Sequence, residues 1–300
     1  MMRTVLVATD FSTRSDRALR RATLLARRVS ARLILVHVVD DDQPGRLVES
    51  AEREAIVLLA EMARTIREVD GLDCDAKVIR GEPFRGLSDA AAEFDADLMV
   101  MGPYRRQVLR EIFIGTTVDR TIRRSRRPIL MANGVPAQPY RRILVATDFS
   151  DASAHAVRTA QDLGLLADAE IVFLHVFDTL ARDAMLRAAM TREQLKDQLA
   201  EDEAQAAHGM VGFIGKVQVK ASRTMVCPVR ESTGQTIRDR AQENRSDLIV
   251  LGTRGQSRLG TLLLGSVAES ILQDAELDVL VVPSGQLPDQ AGPASASRSA

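Results

Sequence analysis

The sequence predicts an α/β protein built as two tandem domains, each a five-stranded parallel sheet with helices on both faces. Two observations carry this. The first is an internal repeat. "RTVLVATDFS" at 3–12 returns as "RRILVATDFS" at 141–150, and "LILVHVVD" at 33–40 as "IVFLHVFD" at 171–178, both at an offset of 138. "DADLMVMG" at 95–102 pairs with "RSDLIVLG" at 245–252 at an offset of 150, so the second copy carries 12 extra residues after its second strand. The second observation is the alternation, within each copy, of short Val/Ile/Leu runs with stretches of helical period. That is the pattern of βαβ units around a sheet buried on both faces.

Taken in order, the apolar runs place strands at 4–9, 33–39, 75–80, 97–101 and 128–132, then at 142–147, 170–176, 222–227, 247–251 and 278–282. After the first strand, Leu19, Ala22, Leu25 and Val29 recur at spacings of three and four opposite an arginine-rich face, which predicts an amphipathic helix laid on the sheet. "NGVPAQPY" at 133–140 has two prolines, a glycine and no periodicity. It sets a first domain at 1–135, a linker at 136–141 and a second domain at 141–284. The tail at 285–300 is rich in Pro, Gly, Ser and Ala without an apolar pattern, and reads as disordered.

Composition narrows the function classes. The 300 residues are 45% hydrophobic and 27% charged, ordinary for a soluble globular chain, and the formal net charge of -1 gives no global argument for nucleic acid or an anionic membrane surface. Cys74 and Cys227 lie far apart without metal-ligand spacing, so neither a zinc site nor a disulfide framework is expected. No run approaches the ~20 apolar residues that span a bilayer, and "MMRTVLVATDFS" lacks the pattern of a signal peptide. The expectation is a reduced, cytoplasmic protein with no membrane and no nucleic-acid partner.

Each copy opens with a strand running into Ala-Thr-Asp-Phe-Ser, which puts Thr147, Asp148 and Asp10 at the carboxyl end of a first strand, where doubly wound sheets bind ligands. A carboxylate there only accepts hydrogen bonds, which suits an exocyclic amine such as adenine's. These aspartates have a second reading, with Ser12 and Ser150, as turn and cap residues. More specific is "VLGTRGQSRLGTLLLGSVAES" at 250–270: a strand ends at Gly252, a basic glycine loop follows, and a helix opens at Gly265 and Ser266. Free backbone N–H groups and the helix dipole attract an anion at such a terminus, and glycine lets the backbone approach phosphates closely.

With these residues in view the chain resembles the universal stress proteins in tandem form. The family's adenosine-nucleotide subset carries Gly-x2-Gly-x9-Gly-(Ser/Thr), and Gly252, Gly255, Gly265 and Ser266 match every position. The resemblance spans 1–133 and 141–283. It implies a flavodoxin-like, HUP-type sheet of order 3-2-1-4-5 in each half, the halves packing as a pseudo-dimer through their last strands. Carried over by position, it implies that Asp148 meets the adenine edge and that the backbone of Val176 pairs with the ring. Leu251, Gly252 and Arg254 then line the ribose and phosphate side, while Gly255, Gly265, Ser266 and Val267 hold the phosphates. The implied ligand is ATP, ADP or AMP, with Mg²⁺ held through the phosphates and Ser266.

The first copy departs from the pattern. It reads Gly102, Pro103, Tyr104, Arg105, then nine residues to Gly115 and Thr116, so Arg105 stands where the second glycine belongs and Pro103 removes a donor. An occupied second half and a weak or empty first half are expected. His37 and His175 read as strand-end packing residues, and His155 and His208 as surface groups, because no second ligand lies at metal spacing. "RRSRRP" at 123–128 reads as helix-end arginines, without the interleaved aromatics of a nucleic-acid site. No Walker loop or kinase motif is present. An adenine-nucleotide-binding regulator or sensor of stress follows, with an unidentified protein partner and with homodimers open. A slow ATP hydrolase or phosphotransferase, and a nucleotide-free interaction scaffold, stay as alternatives.

Overall fold

The computed structural model describes residues 2–103, 116–178, 191–253 and 264–284. The first half runs β1 (Thr4–Ala8), α1 (Thr13–Val29), β2 (Arg32–Val39), α2 (Gly45–Thr65) with a π-helical turn at Ile66–Asp70, and β3 (Cys74–Arg80). It closes with α3 (Pro83–Glu93), β4 (Leu98–Met101), α4 (Thr117–Arg124) and β5 (Ile129–Met131). The second half repeats the order: β6 (Arg142–Ala146), α5 (Asp151–Asp162), β7 (Glu170–Phe177), α6 (Arg192–Val217) and β8 (Arg223–Pro228). Then follow α7 (Thr233–Glu243), β9 (Leu248–Gly252), α8 (Ser266–Asp274) and β10 (Asp278–Val282). Every strand end lies within one residue of the end read from the sequence. The connection from β7 to α6 is longer than its counterpart from β2 to α2, and most of the extra residues fall at 179–190, outside the described residues.

Each half orders its strands 3-2-1-4-5 in parallel, and β5 and β10 join antiparallel with Leu130 opposite Leu280. The product is one ten-stranded sheet, β3-β2-β1-β4-β5-β10-β9-β6-β7-β8. Its central strands are apolar on both faces because helices cover both. Val5 and Val7 point into a core shared with Ala22 of α1, Leu59 of α2, Val157 of α5 and Phe213 of α6. Leu6, between them, points the other way, among Leu87 of α3, Ile122 of α4, Ile237 of α7 and Ile271 of α8. Both cores run across the junction of the halves.

The junction also buries a polar cluster. Asp278, at the start of β10, is 0% exposed. Its carboxylate accepts from Arg21 Nε at 2.7 Å, Tyr140 Oη at 2.6 Å and Gly134 N at 2.8 Å. Arg21 also donates to the Gln138 carbonyl at 2.8 Å and lies 4.3 Å over the Tyr140 ring. Burial pushes the Asp278 carboxyl above its ordinary value even with Arg21 beside it, and burial raises the Tyr140 hydroxyl likewise. The arginine face of α1, read from the sequence as polar, is therefore not solvated throughout: Arg21 is only 4% exposed and ties α1, the linker and β10 together.

Removing one partner of a buried pair strands the other charge, at a cost of about 3–5 kcal/mol. Asp278→Ala should lower the unfolding free energy measured by urea denaturation by that amount. Thr159→Ala, at the position in α5 equivalent to Arg21, should change stability by no more than about 0.5 kcal/mol.

Candidate functional site

The ATDFS segments form the same unusual turn twice. Phe11 has φ 60° and Phe149 φ 66°, in the left-handed region that bulky side chains seldom enter. Three contacts hold each turn. The Thr9 and Thr147 hydroxyls accept from Phe11 N at 3.1 Å and Phe149 N at 3.0 Å. His37 Nδ1 and His175 Nδ1 lie 2.8 Å from the Thr9 and Thr147 carbonyls, and since a carbonyl only accepts, Nδ1 carries the proton in both rings. Each imidazole then packs on its phenylalanine, with centroids 4.5 Å apart in the first half and 4.1 Å in the second.

The turn fixes the carboxylates. Asp148 Oδ1 accepts from Ser150 N at 3.1 Å, Ser150 Oγ at 2.6 Å and Ser153 Oγ at 2.6 Å. Asp10 Oδ1 accepts from Ser12 N at 3.0 Å and from its hydroxyl. Ser12 and Ser150 cap α1 and α5, so the turn-and-cap reading of these residues is real. It does not exhaust them, because both carboxylates also line cavities. Burial opposes ionisation of Asp10, but the hydroxyl and backbone N–H of Ser12, with Ser15 and the Arg14 charge, outweigh it and hold the carboxyl below its ordinary value.

In the second half a cavity of about 220 Å³ opens at the carboxyl ends of β6 and β9. Around it the structure brings together Thr147, Asp148, Val176, Leu251, Gly252, Gly265, Ser266 and Val267. Thr233 and Ile237 of α7, Leu174 of β7 and Thr253 complete the wall. Sequence reasoning missed the α7 pair because the helix gives no motif, only an apolar face. Gly265 caps α8 and has no side chain, so the first-turn N–H groups of that helix find no side-chain acceptor in their cap. Gly265 N donates to the Thr253 carbonyl at 2.8 Å and pinches the base of the loop between them. Arg254 and Gly255, expected in the phosphate grip, lie outside the described residues.

The first half has a cavity in the same place, of about 680 Å³, lined among others by Asp10, Arg14, Val38, Gly102, Pro103 and Thr116. Here Thr116 caps α4 with its own hydroxyl, accepting from Asp119 N at 3.1 Å. Gly102 has a packing cause: a Cβ there would come 2.7 Å from the Arg14 carbonyl oxygen, so only glycine lets the end of β4 meet α1. Arg105 and Gly115 lie outside the described residues.

Other singled-out groups fall elsewhere. His208 is exposed. His155, expected at the surface, is instead half-buried, and burial lowers its pKa. It lines a separate cavity of about 260 Å³ at the junction with Met2, Pro128 and Thr159. Arg123 pairs with Asp119 at 2.6 Å, Arg124 with Asp89 at 3.1 Å and Arg127 with Asp95 at 2.6 Å, which uses most of the basic run internally. Cys74 and Cys227 are free and buried. Among the described residues no cluster of His, Cys, Asp or Glu side chains is set to hold a metal ion, and no helix is long and apolar enough to cross a membrane.

Two doubly wound units, each with a cavity beside the switch point between its first and fourth strands, define a tandem flavodoxin-like α/β protein. The universal stress protein family profile matches residues 1–133 and again 139–283, and the chain belongs to that family. It is 24% identical to universal stress protein Rv2005c of Mycobacterium tuberculosis over 295 residues, covering 92% of this chain and 96% of the relative. To universal stress protein MJ0531 of Methanocaldococcus jannaschii it is 32% identical over 145 residues, covering 48% of this chain and 82% of the relative. The crystal structure of a universal stress protein from Archaeoglobus fulgidus shares the fold at TM-score 0.69 and 20% identity, covering 94% of this chain and 98% of that one.

His175→Ala removes the donor to the Thr147 carbonyl and the ring packed on Phe149. It should cost about 1–3 kcal/mol, the penalty of leaving a buried acceptor unmet. Urea unfolding reads this, and an unchanged midpoint would show that the turn is held by other contacts.

Proposed function

We propose that the second half binds an adenine nucleotide in the cavity at the ends of β6 and β9, and that occupancy makes the protein a regulator or sensor in the stress response. One observation supports this above the others: eight residues, scattered from 147 to 267, line one cavity. The chemistry is consistent. Asp148 is an acceptor for the exocyclic amine, the Val176 backbone borders the ring position, and Gly252, Gly265 and Ser266 face the side on which phosphates would lie.

Mg²⁺ fits this site as an ion carried by the phosphates. Ser266 offers a hydroxyl, and no carboxylate cluster among the described residues would hold the ion alone. The loop at 254–263 contains no lysine and no carboxylate, so it supplies no base to activate water, and binding without efficient turnover is the better reading than hydrolysis. Nucleotide binding would act by favouring one arrangement of the second half and, through the shared sheet, of the surfaces a protein partner meets.

The test is calorimetry of the intact chain with ATP, ADP and AMP, beside Gly255→Glu. The variant should keep the wild-type urea midpoint and weaken second-half binding by more than about tenfold, or 1.4 kcal/mol. Undiminished nucleotide in a folded Gly255→Glu chain would count against the site.

A further inference from the structure

The junction between the halves is filled on one side and hollow on the other. Where one side packs Arg21, Asp278 and Tyr140 together, the equivalent positions hold Thr159, Pro128 and Met2, and a cavity of about 260 Å³ remains. Its inner wall is apolar, with Met2, Leu163 and Val282 all buried. Two polar side chains of α5 look into it. Thr23, Thr65, Thr121 and Thr236 each donate to the carbonyl four residues back, at 2.6–3.0 Å. Thr159 makes no such bond and lines the cavity instead. His155, one turn earlier, likewise has no hydrogen-bond partner among the described residues. Burial and the Arg158 charge hold its pKa below the ordinary value, so near neutral pH the ring offers one donor and one acceptor. A cavity edged by such groups calls for an occupant that meets them.

The rim carries four charged side chains, and two are already engaged. Asp97 accepts from Arg3 N at 2.6 Å and Thr4 N at 3.0 Å, and Arg127 pairs with Asp95 at 2.6 Å. Arg126 of the first half and Asp162 of the second are exposed, and neither side chain makes a hydrogen bond or ion pair among the described residues. Opposite in charge and facing one cavity, they do not pair with each other. A molecule carrying both a carboxylate and an ammonium group would join them. The guanidinium fork matches a carboxylate, and an aspartate accepts from an ammonium group. The apolar wall then receives a hydrocarbon side chain.

We propose that the junction cavity binds a free amino acid with an aliphatic side chain, Arg126 holding its carboxylate, Asp162 its ammonium group, and Met2, Leu163 and Val282 its hydrocarbon. Both halves build the site, and its occupant stands where the other side of the junction has an ion pair. None of these residues lines the cavity at β6 and β9, so the site is independent of the nucleotide reading.

The experiment is calorimetry of the full chain with leucine as the probe, beside glycine, leucinamide and isocaproate, which lack the side chain, the carboxylate and the ammonium group in turn. Leucine should bind once per chain and the other three each about tenfold or more weaker, the worth of a hydrogen bond to a charged group or of a buried side chain. Arg126→Ala should bring leucine down to the level of leucinamide without changing leucinamide. Asp162→Asn should bring it to the level of isocaproate without changing isocaproate. Both side chains are exposed and unpaired, so both variants should keep the wild-type urea midpoint, and Arg126→Gln or Asp162→Ala replaces one that does not. No heat with leucine, glycine bound as tightly as leucine, or leucine affinity indifferent to Arg126 and Asp162 would each overturn the proposal.

Discussion

The antiparallel pairing of β5 with β10 is the constraint on which the rest of the molecule depends. A parallel sheet needs cover on both faces, and a sheet of order 3-2-1-4-5 leaves its fifth strand as an open edge. Joining the two fifth strands removes both edges and makes each core continuous across the junction. The pairing also dictates where function lies. Strands within a half are parallel and the halves meet antiparallel, so their carboxyl ends point in opposite directions. The two cavities therefore sit at opposite edges of the sheet. Any influence of one on the other passes through packed strands and helices, not through a shared loop.

The pseudo-symmetry is broken at the junction. The positions equivalent to Arg21, Tyr140 and Asp278 are Thr159, Met2 and Pro128, and these border a cavity instead of an ion pair. The linker accounts for the difference. It brings Gly134, Gln138 and Tyr140 into one groove, and among the described residues nothing does so on the other side. A buried ion pair adds little net stability over apolar packing of the same volume, yet a mispaired arrangement would leave its charges unmet.

Much of this was legible in the sequence, and the reasons are physical. Strand ends followed from apolar runs, because a doubly covered sheet tolerates few polar residues, and the strand order followed from the family resemblance. The second cavity was legible because its glycines and aspartate gather at the carboxyl ends of strands, where doubly wound sheets bind ligands. The left-handed turn was hidden: Phe11 and Phe149 look like core residues, and only coordinates show the φ above zero that His37 and His175 hold. Arg21 was hidden too, since one arginine on an arginine-rich face carries no mark of burial. Gly102 shows the opposite hazard. It sits at a motif position, and helix packing alone already requires it.

The Asp-Phe turn explains why the two copies agree at one end of the cavity and differ at the other. A bulky residue held left-handed costs about 1–3 kcal/mol and persists only where its surroundings over-determine it. Here threonine, histidine and the serine cap supply that support, and the same serine starts the helix that covers the sheet. Changing the turn would disturb the helix start, the imidazole packing and the cavity floor together. The far end is less constrained: packing requires Gly102, but the proline at 103 and the side-chain cap at Thr116 leave the sheet intact. Divergence between the copies was therefore more open at the far end and closed at the aspartate, and the aspartate is what both halves kept.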